Sequence, residues 1–265
     1  PLLTYNPFTN MFNAPFNVQP YSTYLNFKLS QQQVTYLTKY INQYDNTFDM
    51  VPIRLSHFDE PNYFLSLNIY NVTSPLFMNS NNPVSRCEIN TYVQDKLGNI
   101  GTLILDYCSS SLSMDPVNIF KKKSPTKFVK QSNQKRGYYF DELNDIVESR
   151  DEKSYTYDVF NKDMNFHCDV ITSDFDKPYD MSDELLEYTD KIFYKNGIYD
   201  KLFYDTSLVF AKVYQPFVKN FYFRYKNLVF ADSIDEVQDL HSIFYFKSNI
   251  SFLCSVWHNL KDKII

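Results

Sequence analysis

Arg86-Cys-Glu-Ile-Asn-Thr-Tyr-Val93, then Asp95-Lys-Leu-Gly-Asn-Ile100, then Gly101-Thr-Leu-Ile-Leu-Asp-Tyr107 form the clearest hairpin signal in the chain. The spacing predicts strands over Cys87–Gln94 and Gly101–Tyr107. Gly98 and Asn99 are the residues best able to take the positive φ that the connection needs. Side chains alternate along a strand, so Glu88, Asn90 and Tyr92 share one face. Cys87, Ile89, Thr91 and Val93 take the other. Should the apolar set pack inward, a carboxylate, an amide and a phenol line a cavity, the setting in which catalytic carboxylates occur. The alternative pairs Glu88 with Arg86 or Arg54 on a solvated face.

The rest of the chain reads as more β structure. Phe and Tyr number 24 and 23 of 265 residues, and aromatic side chains favour half-buried pleated surfaces. Only four residues are Gly, so Asn, Asp and Pro must supply the turns. Val51–Leu55 and Tyr63–Tyr70 read as strands around the turn-like Asp59-Glu-Pro-Asn62, with Leu65, Leu67 and Ile69 opposite Ser66 and Asn68. Further strands fit Ser154–Phe160, Phe166–Thr172, Ile198–Tyr204, Ser207–Tyr214, Phe221–Phe223, Ile243–Phe246 and Phe252–Trp257. Ser30 opens a helix with Gln33 as its capping-box partner and Val34, Leu37 and Ile41 on one face. Other helical signals are the short run Ser113–Phe120, Asp183–Lys195 with Asn196-Gly197 as its stop, and Ile234–Leu240. Residues 1–27, rich in Asn, Pro and aromatics without periodicity, read as an extended aromatic arm. Residues 28–265 show no break and read as one domain.

Several function classes drop out. The net charge of −5 gives no field that favours nucleic acid, so no nucleic-acid partner is expected. Lys121–Arg136 holds seven Lys or Arg, but the six acids of Asp141–Glu152 follow and balance them. No apolar run reaches bilayer length and the first residues carry no secretory signal, so a cytoplasmic location with no membrane partner is the expectation. Cys87, Cys108, Cys168 and Cys254 are widely spaced and read as buried thiols. His57, His167, His241 and His258 form no zinc spacing, so neither metal nor cofactor is expected. No phosphate-cradling glycine loop or nucleophile elbow is present. Abundant Asn, Lys, Tyr, Phe and Ile match an AT-rich coding sequence, as in protists or the large DNA viruses that infect them.

The order Glu88-x-Asn-x-Tyr-Val93, a Gly-containing turn and Gly101-x-x-x-Leu-Asp106 resembles the acetoacetate-decarboxylase-like superfamily, closest to a bacterial branch with a Glu-x-Asn-x-Arg-Thr-Tyr-Val strand. Asp190–Lys195, Val213–Phe217 and Ser255–Trp257 resemble later parts of that branch. The resemblance implies an α+β, mainly β fold: a curved antiparallel, barrel-like core with a ligand cavity, flanked by a few helices. It implies a small carbonyl or carboxylate ligand and acid–base or Schiff-base, lyase-type chemistry. Glu88 then corresponds to the pocket acid/base and Tyr92 to a hydrogen-bond donor. Arg86 or Arg54 would anchor a carboxylate, with Asn90 and Asp106 also in the ligand-binding set. Lys121 and Lys122 stand nearest the family's lysine pair, without the Gly and Pro that shape its turn. The competing expectation is a structural or interaction protein, such as a virion component, that keeps the fold and self-assembles through its N-terminal arm.

Overall fold

Asp95 builds the turn of the hairpin. Its Oδ1 accepts from the backbone N–H of Leu97 at 2.9 Å and of Asn99 at 2.8 Å, while Oδ2 accepts from Asn99 Nδ2 at 2.8 Å. Gly98 takes φ +83°, the left-handed conformation a side chain resists. On either side the chain runs extended, in a computed structural model that describes residues 4–6, 11–19, 22–42, 48–57, 59–75, 83–109, 154–160, 164–171, 192–194, 197–198, 203–204, 211–214, 218–225, 240–246 and 250–257.

The described elements are β1 (Thr4–Asn6), β2 (Met11–Val18), β3 (Ser22–Lys28), α1 (Gln31–Asn42), β4 (Asp49–Met50), β5 (Phe64–Thr73), β6 (Val84–Gln94) and β7 (Ile100–Ser109). They continue with β8 (Ser154–Phe160), β9 (Met164–Ile171), β10 (Ile192–Tyr194), β11 (Gly197–Ile198), β12 (Phe203–Tyr204), β13 (Ala211–Tyr214), β14 (Val218–Tyr225), β15 (Leu240–Phe246) and β16 (Ile250–Trp257). The fold is mostly β and antiparallel, with one helix among the described residues. The larger sheet runs β11-β10-β7-β6-β5-β2-β16-β12 and branches at β5 through β3 and β15 to β13. β8, β9 and β14 make a second sheet. Among the described strands only the β10–β7 pair is parallel. Among the described residues no ring of paired strands closes the sheet.

β5 changes partner along its length. Phe64–Ile69 pairs with β3, and Val72–Thr73 with β2. On its other edge β6 runs alongside from Leu65↔Thr91 to Val72↔Val84. Leu65, Leu67 and Ile69 fall on one face, in register with Leu25, Phe27, Ile89 and Cys87, and all are buried. Each such aliphatic side chain contributes about 1.5–3 kcal/mol on leaving water. The opposite face, Phe64, Ser66, Asn68 and Tyr70, is just as buried. Alternation in β5 therefore separates an apolar from a polar interior face, not an interior from a surface.

α1 forms as its sequence predicts. The Ser30 backbone N–H donates to Gln33 Oε1 at 2.8 Å and the Gln33 N–H to Ser30 Oγ at 3.3 Å, a reciprocal capping box. Val34, Leu37 and Ile41 are its buried face. Elsewhere the elements depart from expectation. The range read as an arm holds β1, β2 and all but the last residue of β3, and β3 sits between β5 and β15. Ile192–Tyr194 is a strand, not the end of a helix, because pairing with Thr102–Ile104 of β7 overrides the local helical pattern. Gly197 likewise opens β11 instead of capping a helix. Leu240 begins β15. Residues 113–120, 183–191 and 234–239 lie outside the described residues, as does the basic stretch 121–136. Among the described residues no helix is long and apolar enough to cross a membrane.

Candidate functional site

The polar face of β5 and β6 converges on Glu88. Register sets Asn68 opposite Glu88, Tyr70 opposite Arg86 and Ser66 opposite Asn90. Glu88 Oε1 accepts from the Tyr70 hydroxyl at 2.6 Å and lies 3.2 Å from Arg86 Nη2. Oε2 accepts from Asn68 Nδ2 at 3.3 Å and, weakly, from Asn90 Nδ2 at 3.5 Å. Arg86 is 1% exposed and Glu88 6%. The ion pair expected on a solvated face therefore exists, but inside the protein. A pair held this deep persists only where further hydrogen bonds satisfy the charges, and Tyr70, Asn68 and Asn90 supply them to the carboxylate.

Asn68 and Asn90 have one function each to spare. With their amide nitrogens turned to Glu88, Asn68 Oδ1 and Asn90 Oδ1 are buried and have no hydrogen-bond donor among the described residues. The row continues across the sheet. Ser66 Oγ donates to Asn26 Oδ1 at 2.6 Å, and Asn26 Nδ2 donates to Ser242 Oγ at 3.2 Å, which ties β5, β3 and β15 together. All three residues are buried.

Tyr92 lies on the same face but at its other end, roughly 13 Å from Glu88 at about 3.3 Å per residue. It packs with Ile53, Leu55 and Phe64, and its hydroxyl is hydrogen-bonded to Ser66. Burial pushes its pKa up to about 12, with the Ser66 bond pulling the other way. Arg54, half-buried, sits between Ile53 and Leu55 in the segment over that end. Asp106 is the register partner of Ile89, one place off the Glu88 row and next to a bulge in β7. Lys121 and Lys122 lie outside the described residues. Of the residues expected in the site, the fold thus gathers Arg86, Glu88 and Asn90, and sets Tyr92 and Arg54 at the far end.

The residues missed are the partners from β5 and β3. Asn68 was visible as a polar position in an alternating strand, but nothing in its sequence neighbourhood reveals that Glu88 stands opposite. A second missed pair is Asp59 and His241, which approach at 3.4 Å (Oδ2 to Nε2) without hydrogen-bond geometry. His241 occupies a bulge in β15 and meets the Phe64 ring edge-on, centroids 5.1 Å apart. Burial holds its pKa below the ordinary 6.5, Asp59 opposes that shift, and Lys28 reinforces it. The folded chain then binds fewer protons than the unfolded chain below about pH 6.5. Stability contributed by neutral His241 is full above that value and falls with acidification. Urea midpoints measured between pH 7.5 and 5 should show a steeper decline for the parent chain than for His241→Gln. Identical slopes would refute this.

No family model matches the chain, and no curated protein matches it.

Proposed function

We propose that the chain is a small-molecule-binding β domain whose ligand is held in a cavity over the Arg86–Glu88 face of the larger sheet. The observation that carries this reading is the pair of buried carbonyl oxygens, Asn68 Oδ1 and Asn90 Oδ1, without a donor beside the carboxylate. Leaving a buried acceptor unmade costs about 1–3 kcal/mol, so two on adjacent strands point to a partner from outside the chain. The resemblance to acetoacetate-decarboxylase-like barrels supports a cavity at this place. The chemistry follows less directly. Proton transfer by Glu88 would require one of its bonds to Arg86, Tyr70, Asn68 or Asn90 to break. Arg86 as anchor for a ligand carboxylate would first have to release Glu88.

Native mass spectrometry and thermal melts against a mixed panel of carbonyl, carboxylate, amine and hydroxyl compounds test the reading. A ligand at a hundred times its Kd adds about 2.7 kcal/mol, which raises Tm by roughly 5–10 °C in a chain of this size. No adduct and no shift from any class would sink it. Borohydride with a β-keto acid tests the lyase variant, which fails if no lysine gains mass. One observation favours the structural alternative: both oxygens of Glu88 are already engaged, as in an ion pair that fixes strand register. On that reading Glu88→Gln changes stability and no ligand is found. Assembly through residues 1–27 has less support, since Met11–Val18 and Ser22–Lys28 pair within this chain's own sheet.

A further inference from the structure

Two amides turned the same way by one carboxylate say more about the ligand than the ion pair does. A carboxylate only accepts hydrogen bonds, so it fixes Asn68 and Asn90 with their NH₂ groups inward and their carbonyls away. Flipping either amide would set oxygen against oxygen. The two side chains are 6% and 2% exposed, and neither carbonyl oxygen has a donor among the described residues. Asn68 pairs with Glu88 and Asn90 with Ser66, which makes them diagonal neighbours across β5 and β6. Such positions are about 7–8 Å apart at the backbone, within reach of one small molecule. What the row offers is therefore a pair of acceptors. A ligand carboxylate would bring acceptors to acceptors, and Arg86, already facing Glu88 at 3.2 Å, is compensated. A ligand ammonium would donate, but Arg86 and Glu88 cancel, so it would bury a charge with no counter-charge.

Building on the ligand-binding reading, we infer that Asn68 and Asn90 are the recognition pair of the site and that they select a neutral polyhydroxyl compound through two of its O–H groups. Arg86 is then a positioning residue: it holds Glu88, which in turn aims both amides.

The test is titration calorimetry on the full chain with glycerol, ribitol and myo-inositol, against acetoacetate and ethanolamine. Millimolar concentrations avoid the general stabilisation that polyols give by exclusion from protein surfaces. A polyol should bind saturably, and Asn90→Ala should weaken its Kd about tenfold, the loss of one hydrogen bond. Asn90→Ser, which retains a short polar side chain, serves if the Ala variant does not fold by circular dichroism. Binding of acetoacetate or ethanolamine with all three polyols silent overturns the inference and leaves the ligand-binding reading standing. Equal polyol affinity in the Asn90 variants overturns the assignment to these carbonyls. Silence from the polyols together with no adduct or shift in the mixed panel overturns both.

Discussion

Arg86→Met is expected to lose about 3–5 kcal/mol of folding stability, because it leaves Glu88 charged and 6% exposed without its counter-ion. Glu88→Gln should cost a similar amount for the mirror reason: the guanidinium stays behind, 1% exposed. The double variant Arg86→Met/Glu88→Gln is the informative one. It removes both charges, while the Gln side-chain oxygen can still accept from Tyr70, which now bonds Glu88 at 2.6 Å. Replacing a whole buried pair is often close to neutral, so the double variant should recover most of what either single change loses. Urea unfolding of the four chains closes the cycle. Additive losses would mean that the two residues do not act as a pair, and the geometry around Glu88 would need another explanation.

That expectation rests on a contact only half legible in the sequence. Hydropathy alternation puts Glu88 and Asn90 on one face, and local turn chemistry at Asp95–Asn99 fixes the β6–β7 hairpin that carries them. α1 was equally local: Ser30, Gln33 and three apolar positions settle it within a dozen residues. What lies across the strand boundary is different in kind. Asn68 and Tyr70 meet Glu88 only once β5 has found its register with β6, and no residue near Glu88 in sequence encodes that pairing. β3 is not legible in the sequence because its buried polar residue, Asn26, has the pattern of a solvent-facing position, and only the fold brings up Ser66 and Ser242 to satisfy it. Buried polar rows defeat hydropathy for a simple reason. A side chain satisfied by a distant partner has the same letter as one satisfied by water.

Phe64→Ala carries the other large effect, about 3–5 kcal/mol, since Phe64 is 1% exposed and fills the end of the polar face with Ile53, Leu55 and Tyr92. Phe64→Leu, which keeps most of the volume, should cost under about 1.5 kcal/mol. A stability loss alone would only restate that Phe64 is in the core. The sharper consequence concerns His241, whose imidazole meets the Phe64 ring edge-on and whose pKa is held down chiefly by burial. Opening that side to water removes part of the desolvation, while Asp59 at 3.4 Å still favours the charged form. The His241 pKa should therefore rise in Phe64→Ala and move much less in Phe64→Leu. With four histidines in the chain, the imidazole proton resonances can be followed singly by NMR titration, and His241→Gln identifies which one is relevant. The same change should shrink the acid-induced loss of stability, because a group whose folded pKa lies nearer 6.5 takes up fewer extra protons on unfolding. A His241 resonance that titrates at the same pH in both Phe64 variants would show that Asp59 and Lys28, not the Phe64 ring, set its environment.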